Sequence, residues 1–175
     1  MKETGVIRRI DELGRIVIPK EIRKRLKITN GDQIDICTNN NSIILSKYEP
    51  LEDYNKELRA LINSMAKNGG ASIYLFDNTK CILSTNDKIS ELDYIDSDIL
   101  FRLRNTESIE LSSNMNVDIT LNYKNDAYSY LKRIVCDYDF IGFIMISKPS
   151  IITKNDIELV NILNDYIIIM NEGQN

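Results

Sequence analysis

The sequence predicts two unlike parts: a small β-rich head over residues 1–50, and an α+β domain with an antiparallel sheet and flanking helices over residues 51–175. Three observations point there. The first fifty residues alternate β-branched runs with turn clusters. After Glu49-Pro50 the pattern changes to helix, strands, helix, strands, helix. The charge changes at the same place: residues 1–50 carry ten Lys/Arg against seven Asp/Glu, a net of +3, whereas the rest carries twelve against nineteen, a net of −7. A basic head on an acidic body points to a polyanionic partner for the head alone, which the whole-chain charge of −4 conceals.

In the head, Val6-Ile7 with Ile10 and then Ile16-Val17-Ile18 read as two short strands. Asp11-Glu12-Leu13-Gly14 separates them as a turn in which Gly14 can take positive φ. Pro19 stops the second strand and sets φ for a helix over Lys20–Lys27, with Ile22 and Leu26 as its inner stripe. Asn30-Gly31-Asp32 turns the chain into a hairpin, Gln33–Thr38 and Ser42–Tyr48, with Ile34, Ile36, Ile43 and Leu45 as apolar teeth. So few apolar residues make a marginal core, for which oligomerisation is a usual remedy.

The second part opens with a helix over Leu51–Lys67, striped by Leu51, Tyr54, Leu58, Leu61, Ile62 and Met65 and ended by Asn68-Gly69-Gly70. Ala71–Phe76 and Cys81–Thr85 read as a hairpin, and Asp96–Asn105 as a short helix that buries Ile99, Leu100 and Leu103. Strands are expected at Ser108–Leu111, Val117–Tyr123, Ser129–Cys136 and Phe140–Ser147. Thr153-x-x-Asp156 is a capping-box pattern that opens a last helix running to about Asn171. That helix is apolar on more than one face, so part of it calls for a partner.

Several function classes are set aside by composition. The chain has no histidine, which removes His-based acid–base chemistry and most transition-metal sites. Three widely spaced cysteines (Cys37, Cys81, Cys136) without a C-x-x-C pair argue against a disulfide scaffold or a zinc site, and for a reducing cytoplasm. Cys81 and Cys136 fall in apolar strand-like runs, where buried structural cysteine is the default. No apolar run reaches the roughly eighteen residues a membrane span needs, and residues 1–5 lack the apolar core of a secretory signal. Gly69-Gly70 is a helix stop rather than a phosphate loop, and no motif names a cofactor.

The distinctive stretch runs from Arg8-Arg9-Ile10 through Asp11-Glu12-Leu13-Gly14-Arg15 to Pro19-Lys20-Glu21-Ile22-Arg23. It resembles the AbrB-type swapped-hairpin DNA-binding domain, and the resemblance covers residues 1–48. The whole chain, with its Lys47-Tyr48-Glu49-Pro50 junction, is similar to sporulation regulators that join such a head to a GAF-type domain. The resemblance implies an all-β, intertwined dimeric barrel with one short helix for residues 1–50 and a GAF-like sensor and dimerisation domain for residues 51–175. It also implies that Arg8, Arg9, Arg15, Arg23 and Lys24 face double-stranded DNA. Arg25 adds a phosphate contact, while lysine rather than the family's common arginine at position 24 forgoes bidentate contacts.

The bland reading of these cations is a solvated surface with Asp11, Glu12 and Glu21 as local partners. Homodimers through the heads and tetramers through the tails are expected, with Leu51, Tyr54, Leu58, Ile162, Tyr166 and Ile169 at the tail seam. A small ligand in the second domain is open, no cofactor is expected, and the location is the bacterial cytoplasm, on the nucleoid. Two rival functions stand beside the sporulation regulator. One is an antitoxin-like protein that binds DNA and a protein partner, against which the long patterned tail argues. The other is a cysteine-dependent reductase of oxidised methionine, which needs two thiols able to meet.

Overall fold

The computed structural model describes residues 6–26, 28–30, 34–39, 42–47, 51 and 55–172. The chain divides into two compact units, Met1–Tyr48 and Glu49–Asn175.

In the first unit Pro19 occupies the N-cap of α1 (Lys20–Arg25), its φ of −57° matching what the start of a helix requires. Arg23, Lys24 and Arg25 fill the last turn, where cations complement the helix dipole. β1 (Ile34–Asn39) and β2 (Ser42–Lys47) pair antiparallel, with Ile36 opposite Leu45 and Thr38 opposite Ile43.

The expected barrel is not there. Among the described residues this unit has one sheet of two strands, and Val6–Ile10 and Ile16–Ile18 form no strand at all. β-branched residues favour extended backbone, but a strand exists only against a second edge, and a two-stranded sheet keeps both edges open. What survives of the first hairpin is its turn, closed by Asp11 N–H donating to the Arg15 carbonyl at 3.0 Å. The consequence is an uncovered apolar surface. Ile7 is 93% exposed, Ile10, Leu13, Val17, Ile36 and Ile43 are also exposed, and only Pro19 is buried among the unit's described residues.

The second unit is a three-layer sandwich. Its sheet runs β4-β3-β9-β8-β5, every pair antiparallel: β3 (Ser72–Phe76), β4 (Cys81–Ser84), β5 (Ser108–Leu111), β8 (Tyr128–Cys136) and β9 (Asp139–Lys148). Because side chains alternate across a sheet, β9 sends Phe143 and Met145 into one core and Ile144 and Ile146 into the other. Strands covered on both faces read as continuous apolar runs, which is why Phe140–Ser147 is the greasiest stretch of the sequence.

On one face lie α2 (Asn55–Gly69), through Leu58 and Ile62, and α4 (Lys154–Glu172), through Val160, Leu163 and Ile167. On the other lie α3 (Ser97–Asn105), through Ile99 and Leu103, and a small hairpin of β6 (Asp118–Thr120) and β7 (Tyr123–Lys124). That hairpin replaces the single strand expected at Val117–Tyr123: the chain turns at Leu121, whose N–H donates to the Tyr94 carbonyl at 2.9 Å.

The caps follow the sequence. Asp96 accepts from the Asp98 N–H at 2.9 Å to start α3, and Gly70, at φ +62°, ends α2 by donating to the Ala66 carbonyl. Thr153 N–H and hydroxyl both donate to the Asp156 carboxylate at 2.7 Å, and Lys148 at the end of β9 pairs with the same group. This nearly buried pair ties the sheet to the start of α4. No helix among the described residues is long and apolar enough to cross a membrane.

Candidate nucleic-acid interface

Among the candidate cations of the first unit, Arg15 is positioned by a local device, the turn that carries it. The Asp11–Arg15 turn is self-capped: one Asp11 carboxylate oxygen accepts from the Leu13 and Arg15 N–H groups at 3.0 and 2.8 Å. Gly14 N–H donates to the Asp11 carbonyl, and Gly14 has φ +76°, a conformation most side chains resist. The second Asp11 oxygen accepts from Arg15 Nε at 2.9 Å. The Arg15 backbone and side-chain donors together hold the Asp11 carboxyl below the usual range. The Arg15 side chain remains 71% exposed, and an exposed pair of this kind yields readily to a competing phosphate. The local acidic partner of the bland reading is therefore real for Arg15, yet it shapes the turn more than it neutralises the arginine.

Arg8 and Arg9 are exposed on the segment before the turn. Arg8 borders a groove of about 180 Å³ with Ile16, Pro19, Ile22, Leu26 and Leu45. Lys24 and Arg25 are exposed on α1. Arg23 behaves differently. It is half-buried, its Nε has no partner, and one terminal nitrogen lies 3.5 Å from the Asn30 side-chain oxygen, at the outer limit of a hydrogen bond. Sequence reasoning did not single out Asn30. Its only signal was its place in the turn after the helix.

The tail seam fares unevenly. Leu51 and Leu58 are 1% and 2% exposed, buried in the unit's own core against the sheet, so they cannot contribute to a seam. Tyr54 lies outside the described residues. Ile162 and Ile169 are 63% and 65% exposed, with Tyr166 half-buried between them. On the α3 side of the sheet, Phe76 stacks on Phe143 with ring centroids 4.3 Å apart, and these rings with Tyr74, Ile99, Leu103 and Met145 fill the space over the strands. Cys81 is buried there, and burial pushes its thiol up to about 12.

Comparisons with known proteins bear on both units. Residues 7–53 match the family described as antidote-toxin recognition MazE, bacterial antitoxin. The chain is 33% identical over 152 residues to stage V sporulation protein T of Bacillus subtilis, covering 83% of this chain and 84% of that protein. It is 50% identical over 50 residues to the transition state regulatory protein AbrB of the same organism, covering 29% of this chain and 52% of AbrB. The solved N-terminal DNA recognition domain of AbrB is 49% identical, covering 29% of this chain and 96% of that one, at a TM-score of 0.26. GAF3 from Slr1393 of Synechocystis is 11% identical over 69% of this chain and 94% of that one, at a TM-score of 0.43. The class these matches define is that of proteins with an AbrB-like N-terminal domain, here followed by a second, larger unit. The chain belongs to the stage V sporulation protein T family.

Proposed function

We propose that this chain is a double-stranded-DNA-binding regulator of sporulation genes whose first unit holds the DNA and whose second unit assembles copies and senses a small molecule. It is not an enzyme. The observation that carries the reading is the set of exposed cations Arg8, Arg9, Arg15, Lys24 and Arg25 within the basic stretch that is half identical to AbrB. Guanidinium groups suit this role because they pair with phosphates and with guanine edges.

The uncovered apolar residues of the first unit support self-association of the heads, since a second copy is the most economical cover. On α4, Leu159, Ile162, Tyr166 and Ile169 follow three-four-three spacing, the pattern of a helix-pairing seam. Dimers through the first unit and tetramers through α4 would raise avidity for DNA. Such a protein works in the bacterial cytoplasm, on the nucleoid.

The test is a titration of wild type and Arg15→Ala on AT-rich and scrambled duplexes at several salt concentrations. If about six to eight phosphates are neutralised per dimer, log K against log salt falls with a slope of about −5 to −7. Arg15→Ala is expected to weaken binding and to flatten that slope by about one for each phosphate the variant no longer neutralises. A slope near zero, or no binding to either duplex, refutes the reading. The antitoxin-like alternative, favoured by the match over residues 7–53, would then lead.

A further inference from the structure

A solvent-open cavity of about 420 Å³ lies beside α2, bordered by Asn63 of that helix, by Ser84 at the end of β4 and by the loop that follows as far as Glu91. Of the aromatic-filled core on the α3 side, only Ile89 borders it. The loop is rigidly braced. Ser84 Oγ donates to the Asn86 carbonyl, the Asn86 side chain accepts from Lys88 N–H and donates to Ser72 Oγ, and Ser90 N–H donates to Asp93. Arg59 clamps Glu91 with two bonds at 2.5 and 3.0 Å, and this pairing lowers the Glu91 carboxyl below its usual range. The next residue, Leu92, sits at φ +79°, a conformation that a bulky side chain keeps only where the surroundings impose it.

On that braced loop and the facing helix, three solvent-exposed side chains border the cavity without a protein partner among the described residues: the Asn63 amide, the Asp87 carboxylate and the Ser90 hydroxyl. The wall carries two carboxylates and no cation. Glu91 is neutralised by Arg59 from outside the lining, and Lys88 is committed to Asp126 at 2.6 Å. Asp87 is thus the one uncompensated charge on the wall among the described residues. A bare metal ion fits poorly, because no cluster of three His, Cys, Asp or Glu side chains that could hold one occurs among the described residues. We propose that this cavity binds a small organic cation, an amine that also carries hydrogen-bonding groups, with its ammonium on Asp87 and its polar groups on Asn63 and Ser90. The volume falls in the range of small-molecule sites, and a preformed wall loses little entropy on binding. The inference deepens the sensing reading of the second unit and rests on it.

The experiment is calorimetric titration of the full chain with ethanolamine, putrescine, agmatine and glucosamine, with glycerol and glucose as uncharged controls. Saturable binding of at least one amine is expected, at least about ten-fold tighter than the controls. It should weaken by at least about ten-fold in Asp87→Asn, as befits removal of a charge-assisted hydrogen bond. Asp87 is exposed, so the variant should melt like wild type, and Ser90→Ala provides a second, milder lesion on the same wall. Failure of all four amines to saturate, equal binding of the uncharged controls, or unchanged affinity in both variants overturns the proposal. DNA binding measured on the same samples separates the failures: intact DNA binding without amine binding sinks this site and leaves the regulator reading standing.

Discussion

Gly142 on β9 is the position where a single methyl group should do the most damage. A Cβ built there would lie 2.1 Å from the Phe76 carbonyl oxygen, 3.1 Å from the Asp77 Cα and 3.1 Å from a Leu51 methyl. An ordinary carbon–oxygen approach is about 3.3 Å, so β3 and β9 would have to part by roughly 1 Å. Leu51 could swing aside, but Phe76 and Asp77 present backbone, fixed by the Phe76–Phe143 register and by the stack of those two rings. Overpacking a rigid core costs about 1–3 kcal/mol, and an obstacle made of backbone belongs at the upper end. At about 2–4 °C per kcal/mol for a chain of this size, Gly142→Ala should lower the melting temperature by roughly 6–12 °C, read by circular dichroism or calorimetry. Gly69→Ala is the matched control: nothing lies within 4 Å of its added methyl, and it ends α2, so the melting temperature should hold or rise slightly. If Gly142→Ala melts within about 2 °C of wild type, the close approach of β3 to β9 is not as described.

Other outcomes follow from the same geometry. Burial alone would raise the Asp156 carboxyl, but hydrogen bonds from Lys148 and Thr153 hold it below its usual value. A carboxyl depressed in the folded state contributes stability above its unfolded pKa and loses it as pH falls through the folded one. Acidification below about pH 4 should therefore destabilise the second unit, and Asp156→Asn should flatten that pH dependence while costing about 3 kcal/mol at neutral pH. Alkylation of the native protein at pH 8 should label exposed Cys37 first and leave Cys81 intact, since its thiol ionises only near 12; rapid labelling of Cys81 would contradict its burial. Ile162→Glu with Ile169→Glu should reduce the mass of the assembly in light scattering and barely move the melting temperature, because both side chains are exposed. An unchanged mass would remove α4 from the assembly.

Apart from the β6–β7 hairpin, where a single strand was expected, the second unit's elements, their order and their caps were legible from the residues alone, because they depend on short-range physics. The stripe Leu58, Ile62 and Met65 marks one helix face, Thr153 and Asp156 cap α4, and the continuous apolar run of β9 announces a strand covered on both sides. The basic turn was legible for the same reason, since Asp11, Gly14 and Arg15 interact within five residues of chain. The family is equally a property of the sequence. Long-range packing settled the rest, because it depends on which face of an element meets which neighbour. Leu51 and Leu58 share an apolar stripe whether they serve a seam or a core, and packing against the sheet chose the core. The cavity by Asn63 and Asp87 joins residues from a helix and a loop that no periodicity connects. The barrel expected of the head failed for the same reason in reverse. Val6–Ile10 and Ile16–Ile18 have the composition of strands, but composition supplies no second edge, and no described strand of the head pairs with them.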